Sequence, residues 1–255
     1  MIYISLVSHG HSSIIHEIGC INSLSDDCIL VIKNNKIDDV GLLGEHAYII
    51  DECYGLGFGH NNNIVYQYCV DNFGMLESDY FIVLNPDVLI TSNVIKDLVN
   101  TMKNDDVNIA AINLFRDELK TIYDNSIRQF PSFIQFVSSF LRKSNTSIID
   151  KSKVYTPIKI DWAAGSFLAF QAGHYRKLMG FDQSYFMYCE DIDICYRSSI
   201  IGYPVTYYPQ FEAIHLAKHA NRKFLSKHFM WHVCSAVRFL FSKSGYVTMK
   251  SILKK

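Results

Sequence analysis

The chain reads as an α/β protein built on a mostly parallel central sheet with helices packed around it. Three observations predict this. From Met1 to about Ile112 short apolar runs alternate with segments of helical periodicity. Gly, Pro, Asn and Asp cluster where the runs stop, as expected at strand ends. With 255 residues and 49% hydrophobic content, the chain also carries enough apolar material for a large core.

IYISLVSH (2–9) and CILVIKNN (28–35) have the continuous apolar character of strands covered on both faces. The stretch from Ser12 to Leu24 between them is read as the first crossover helix. AYIIDE (47–52) is a third short strand leading into Gly55-Leu56-Gly57-Phe58-Gly59, and a helix is expected from about Asn62 to Leu76. YFIVLNPDVLI (80–90) is a strand whose apolar half stops at Asn85-Pro86-Asp87. Thr91 or Ser92 caps a helix running through about Met102, and NIAAINLF (108–115) is the strand that follows. From Arg116 to Pro157 the pattern is less regular: Phe130 to Leu141 has helical character, and the polar run from Lys143 to Lys153 reads as a loop. IDWAAGSFLAF (160–170) alternates as a strand, a short helix ends at Gly180, and another helix runs through Ser199 and stops at Gly202. VTYYPQ and EAIHL resemble one or two closing strands, and Arg222 to Ser242 is helical, apolar on most sides and studded with basic residues.

Charged residues make up 19% of the chain and the net charge is −1, which argues against a basic nucleic-acid binder and against a disordered chain. The seven cysteines are scattered without a C-x-x-C pair and read as reduced, mostly buried cytosolic thiols. The N-terminus enters an apolar run without a basic leader, and no apolar stretch reaches the roughly 20 residues a spanning helix needs. A cytoplasmic protein is expected. At the C-terminal end Arg222, Lys223, Lys227, Arg238 and Lys243 interleave with Phe224, Phe229, Trp231, Phe239 and Phe241. That pattern suits a helix lying on an anionic leaflet, and equally a helix docked on the core with its lysines in water.

Four groups of residues carry chemistry. Asp87 follows a strand end, where ligands of open α/β sheets sit, although N-P-D is also ordinary turn chemistry. Glu190-Asp191-Ile192-Asp193 opens a helix after the apolar Tyr185-Phe186-Met187-Tyr188. One or two of these acids are explained as dipole partners, but a carboxylate at the edge of a dehydrated pocket also suits a general base. His215 ends an apolar strand; it is either structural or, with Asp87 and diphosphate oxygens, a ligand for Mg²⁺ or Mn²⁺, and His219, Asn221 and Arg222 follow closely. The glycine run with His60-Asn61-Asn62-Asn63 lets backbone approach a nucleotide or forms a plain capped loop; it is not a dinucleotide fingerprint. Ser8 and His9 at the first strand end are weaker candidates.

The stretches VSHG, GFGHNNN, YFIVLNPD, IDWAAGSF, GFDQSYFMYCEDIDIC and AIHLAKHANR, in this order, resemble the family 2 glycosyltransferases of GT-A fold, and within them the bacterial rhamnosyltransferases of O-antigen assembly. The resemblance implies an inverting transferase that moves L-rhamnose from dTDP-rhamnose to the N-acetylglucosamine of a polyprenyl-pyrophosphate carrier at the inner face of the cell membrane. It implies a GT-A catalytic domain over residues 1–220, with residues 1–115 as the nucleotide half and 116–220 as the acceptor half, and a helical extension over 221–255. Asp191 matches the catalytic base, with Glu190 orienting acceptor or base. Asp87 matches the last acid of the D-x-D element, Asn85 stands at its first position, and His215 matches a later metal-binding histidine. Trp162, Gly165 and Ser166 match the strand beneath the acceptor. Asn34 stands where many relatives carry an Asp facing the nucleobase. Ser8, His9, Gly57, Asn61, Asn62 and Arg222 complete the expected donor contacts. Competing readings are a transferase of the same fold with another nucleotide-sugar donor, a nucleotide-sugar pyrophosphorylase, which VSHGHSS does not suit, and a non-catalytic carbohydrate-binding protein with a decayed site.

Overall fold

The computed structural model describes residues 1–24, 28–37, 39, 46–131, 147–217 and 227–254. Its main sheet runs β3 (Tyr48–Ile50), β2 (Ile29–Asn34), β1 (Ile2–Ser8), β4 (Tyr80–Leu84), β10 (Phe167–Gln171), β6 (Ile109–Phe115), β11 (Val205–His215), β5 (Val88–Leu89). Strands β3, β2, β1 and β4 pair in parallel, β6 and β11 do likewise, and β10 is inserted antiparallel between β4 and β6. β8 (Ile158–Ile160) adds to β11, while β7 (Ile127–Arg128) and β9 (Trp162–Ala163) form a separate ribbon. The mostly parallel α/β architecture expected from the apolar runs is present. Every residue of β1, β4 and β6 is buried, because helices cover both faces of the central strands. One core cluster gathers Phe81, Val83, Ala111, Leu168 and Phe170, and the other holds the intervening Ile82, Leu84, Ile112 and Ala169.

Several elements differ from the sequence expectation for identifiable reasons. The first crossover is two short helices, α1 (Ser12–Glu17) and α2 (Cys20–Leu24), parted by Gly19 at φ +61. α3 (Phe58–Phe73) begins four residues earlier than expected and takes up the last glycine of the run. A Cβ at Gly59 would stand 2.5 Å from that of Phe181, so only glycine lets this first turn pack. α4 (Ser92–Asn104) starts after Thr91, as the sequence suggests. The IDWAAGSFLAF run is three strands instead of one, broken by a turn at 164–166. The closing segment is a single strand, β11, whose register against β6 shifts between Tyr208 and Glu212, beside Pro209. α5 (Ala172–Lys177) precedes Gly180, and α6 (Glu190–Ile200) ends before Gly202. Most of the expected helix from Phe130 to Leu141 lies outside the described residues, as do the first four residues of the expected loop; the rest of that loop contains a short 3-10 turn at Lys151–Lys153. The first residues of the C-terminal helical stretch also lie outside the described residues. Cys69, Cys189 and Cys195 are buried free thiols, whereas Cys53 and Cys234 are exposed.

The C-terminal helix α7 (Lys227–Lys243) is docked on the core through Ala236 and Phe239, and Leu253 beyond it enters the same cluster. Arg238 donates to Asp182 at 2.7 Å, and Asp182 also accepts the Ser184 and Lys250 backbone N–H groups. Because the Asp182 side chain is 2% exposed, deleting its cation strands a buried charge. Arg238→Met is expected to lower unfolding stability by about 3 kcal/mol. Urea unfolding checks this, and an unchanged midpoint would show that the backbone donors alone hold Asp182.

Candidate active site

The carboxyl ends of β1 and β4 meet where the strand order reverses on either side of β1, the place where open sheets bind ligands. Two clusters of ionisable groups lie at this edge. A cleft of about 330 Å³ lined by Glu77, His174 and Lys177 lies at the opposite edge and touches neither.

The first cluster is built by β4, β5 and β11. β5 pairs antiparallel with the end of β11, setting His215 opposite Val88, next to Asp87. His215 Nε2 stands 3.4 Å from Asp87 Oδ1, and Nδ1 is 2.8 Å from Asp124 Oδ2. Arg116 Nε lies 3.6 Å from the same Asp124 oxygen. Burial pushes both carboxyls up, but the hydrogen bonds and charge of His215 outweigh it and hold them below the usual range. Burial likewise works against charge on His215, yet its two acid partners raise its pKa to about 9.

The second cluster opens α6. Asp191 Oδ2 accepts the Gly165 N–H at 3.2 Å, and Oδ1 accepts the Ile192 N–H at 2.9 Å. Burial raises the Asp191 carboxyl, partly offset by these donors and by Arg128. Glu190 is pushed much further, by burial and by the charge of Asp191, and its Oε2 has no partner among the described residues. Tyr188 and Cys189, immediately before, sit at φ +71 and +65, a costly backbone for non-glycine residues. Asp193 belongs elsewhere: it is buried and bonded to Arg197, Tyr185 and Ser242.

One turn joins the clusters. Asn85 N donates to Ser166 O at 3.0 Å, and the adjacent Gly165 holds Asp191. Asn85 itself is half-buried and opens the loop to Asp87, whose carbonyl accepts the Leu216 N–H.

Other residues expected at the site have the following surroundings. Ser8 is fully buried and its hydroxyl is spent, donating to Asp39 and accepting from His11 N. Asp39 also collects the Gly10 and Ser12 N–H groups, so the end of β1 is closed by a carboxylate of the chain itself. Gly57 is a packing glycine: a Cβ there would meet Phe186 O at 2.5 Å. Asn61 and Asn62 are fully buried and point into α3 and β1, where Asn61 bonds Leu56 and Gly57 carbonyls and Asn62 joins Phe58 O to Ser5. Asn34 gives its amide to Asp51 and accepts from Lys36 N. Trp162 is 7% exposed, donates to Gln129 O and lies beneath Arg128, so it offers no open stacking face. His9 remains exposed at the strand end. Arg222, with His219 and Asn221, lies outside the described residues.

The chain is 38% identical over 248 residues to "Rhamnosyltransferase WbbL" of Escherichia coli (strain K12), covering 95% of this chain and 94% of that one. The chain belongs to the family 2 rhamnosyltransferases. It is also 28% identical over 169 residues to the "N-acetylglucosaminyl-diphospho-decaprenol L-rhamnosyltransferase" of Mycobacterium tuberculosis, over 64% of this chain and 55% of that enzyme. The fold of this rhamnosyltransferase is that of GalNAc-T7, solved with UDP, GalNAc and Mn²⁺: the TM-score is 0.63 at 14% identity, over 93% of this chain and 47% of the other. S. aureus TarS gives 0.52 at 9% identity, over 84% of this chain and 36% of the other. These are GT-A glycosyltransferases. No protein-family model matches the chain.

The donor set of the rhamnosyltransferase suits a divalent cation. A carboxylate and an imidazole nitrogen converge, and the other ring nitrogen is held by Asp124, the usual outer-shell arrangement around a metal-binding histidine. Among the described residues no group of three His, Cys, Asp or Glu side chains could hold a metal ion. Sequence reading missed Asp124, Arg116 and Arg128, all in the irregular middle segment.

His215 titrates at 6.5 when free and at about 9 here. A raised pKa means its stabilisation is complete below 6.5 and disappears as pH rises through 9. Without added metal, the thermal midpoint is therefore expected to fall across that window. His215→Gln should flatten the decline in a differential scanning experiment; a variant retaining the full slope would assign it to another group.

Proposed function

We propose that the chain transfers L-rhamnose from dTDP-rhamnose to the N-acetylglucosamine of a polyprenyl-pyrophosphate carrier, inverting the anomeric configuration, in the assembly of an O-antigen polysaccharide. The observation that carries this reading is the linkage of a desolvated carboxylate, Asp191, to the Asp87–His215 pair through one turn. The names of the two relatives support the sugar and the lipid-linked acceptor.

Asp191 accepts the proton of the acceptor hydroxyl as that oxygen attacks the anomeric carbon. Burial makes Asp191 a stronger base than a free carboxylate, and the Gly165 N–H fixes its orientation. Glu190 keeps its proton, because two adjacent desolvated carboxyls resist a second charge, and so remains a donor for an acceptor oxygen. Attack from the face opposite the departing dTDP inverts configuration in one displacement. Asp87 and His215, the latter after giving up its Nε2 proton, would hold Mg²⁺ or Mn²⁺, which would supply positive charge for the departing diphosphate. Asp124 and Arg116 keep the imidazole in place, and Arg222 is proposed as a further cation for the phosphates.

Asp191→Asn is expected to lower kcat about 10³-fold while the Kd for dTDP stays within twofold. A donor screen with synthetic lipid-pyrophosphate-GlcNAc reads both sugar and linkage. Full turnover by the variant would remove Asp191 from the role, and transfer of a different sugar would replace the donor.

We also place the protein on the cytoplasmic face of the membrane as a peripheral enzyme. No helix among the described residues is long and apolar enough to cross a bilayer. The outer side of α7 exposes Met230, Val237 and Phe241, followed by Tyr246 and Ile252, among lysines. Flotation with anionic liposomes is expected for the unaltered chain, reduced severalfold in a Met230→Ser, Phe241→Ser double variant with an unchanged thermal midpoint. Equal flotation of both proteins would exclude this face.

A further inference from the structure

Three neighbouring strands carry a polar row, two of whose side chains keep an atom unpartnered among the described residues. Phe81 and Val83 on β4, Leu168 and Phe170 on β10, and Ile109 and Ala111 on β6 all belong to one apolar cluster on one face of the sheet. The next position on that face of each strand is Asn85, Ser166 and Asn113 respectively. Phe167 pairs with Leu84 and Asn85 N donates to Ser166 O, and β10 pairs with β6 at Ala169–Ala110 and Phe170–Ile109, so Ser166 and Asn113 lie beyond that pairing toward the same end of two neighbouring strands.

Ser166 and Asn113 are each 5% exposed, and neither Ser166 Oγ nor Asn113 Oδ1 has a hydrogen-bond partner among the described residues. Glu190 Oε2, at the start of α6, is also without a partner among the described residues. A buried polar atom left unpaired costs about 1–3 kcal/mol, and native folds rarely tolerate several in one place without a ligand or water to receive them. We propose that Asn113 and Ser166, flanked by Asn85, form the floor that binds the transferred sugar through its hydroxyl groups.

The chemistry selects a polyol. An amide oxygen calls for an O–H or N–H donor, and a serine hydroxyl both gives and takes, which alcohols match and phosphate oxygens, being acceptors only, do not. The position selects the transferred ring over the acceptor. An in-line displacement holds that ring between the leaving oxygen and the attacking one. Ser166 is bonded through its carbonyl to Asn85, which leads to Asp87, and follows Gly165, which holds Asp191. Asn113 adds a donor-selecting residue from β6, an element given no part in the mechanism above.

This inference rests on the glycosyltransferase reading, and the experiment separates the two. Asn113→Ala and Ser166→Ala are assayed for transfer from dTDP-rhamnose to the lipid-pyrophosphate-GlcNAc acceptor with Mn²⁺ present, with dTDP as a competitive inhibitor. Each variant is expected to lose about tenfold in kcat/KM for the donor, the worth of one good hydrogen bond. The dTDP inhibition constant, the acceptor KM and the thermal midpoint should stay unchanged. Undiminished donor kcat/KM overturns the proposal. Parallel weakening of dTDP with a lowered midpoint reassigns the row to packing, and a loss confined to acceptor KM reassigns it to the acceptor; both also overturn it. If the unaltered chain transfers no sugar from any nucleotide donor, the glycosyltransferase reading itself falls.

Discussion

A buried turn has to place each of its amides and carbonyls, and here that requirement organises the catalytic edge. Ala164 donates to Ser126 O, Gly165 to the Asp191 carboxylate, and Ser166 accepts from Asn85. Three bonds from three consecutive residues therefore bind the loop that carries Asp124, the start of α6 and the end of β4. Gly165 cannot be enlarged without disturbing this, since a Cβ would stand 3.0 Å from the Phe58 ring. Reactive groups from distant parts of the chain are held by backbone valences anchored in strands, which is the rigid kind of support that catalytic geometry needs.

The two ionisable clusters are opposites in electrostatic character. Around His215 the charges compensate one another, so two carboxylates and an imidazolium stay ionised in a largely buried place. Around Glu190 and Asp191 desolvation dominates, with the charge of Arg128 opposing it at Asp191. A region that keeps charge suits a diphosphate and its counter-ion. A region that resists charge suits proton transfer.

Much of this was legible in the chain, because strand ends and helix starts announce themselves through hydrophobic pattern. Asp87, Asp191 and His215 stand at such strand ends and helix starts. What local pattern does not disclose is which polar side chains the fold bonds internally. Ser8, the Asn61 amide nitrogen and Asn62 have residue types that bind nucleotides, and each is bonded within the chain, while Asn61 Oδ1 has no partner among the described residues. Gly57 looked like a phosphate-cradling glycine, and its spacing could not reveal the Phe186 backbone pressed against it. Asp124 lies in a segment without periodicity and acquires meaning only where β11 brings His215 to it. Asn113 did leave a trace, as the lone amide in the buried strand IAAINLF, a position where an apolar residue would serve packing better.

The chain reaches Glu190 through two residues in left-handed conformation, and α7 bears on this approach: Ser235 donates to Met187 O, and Tyr188 OH meets His228. A helix some 40 residues downstream thus braces the bend that presents the acid pair. Exchanges along the inward stripe of this helix would relax the bend without altering either acid.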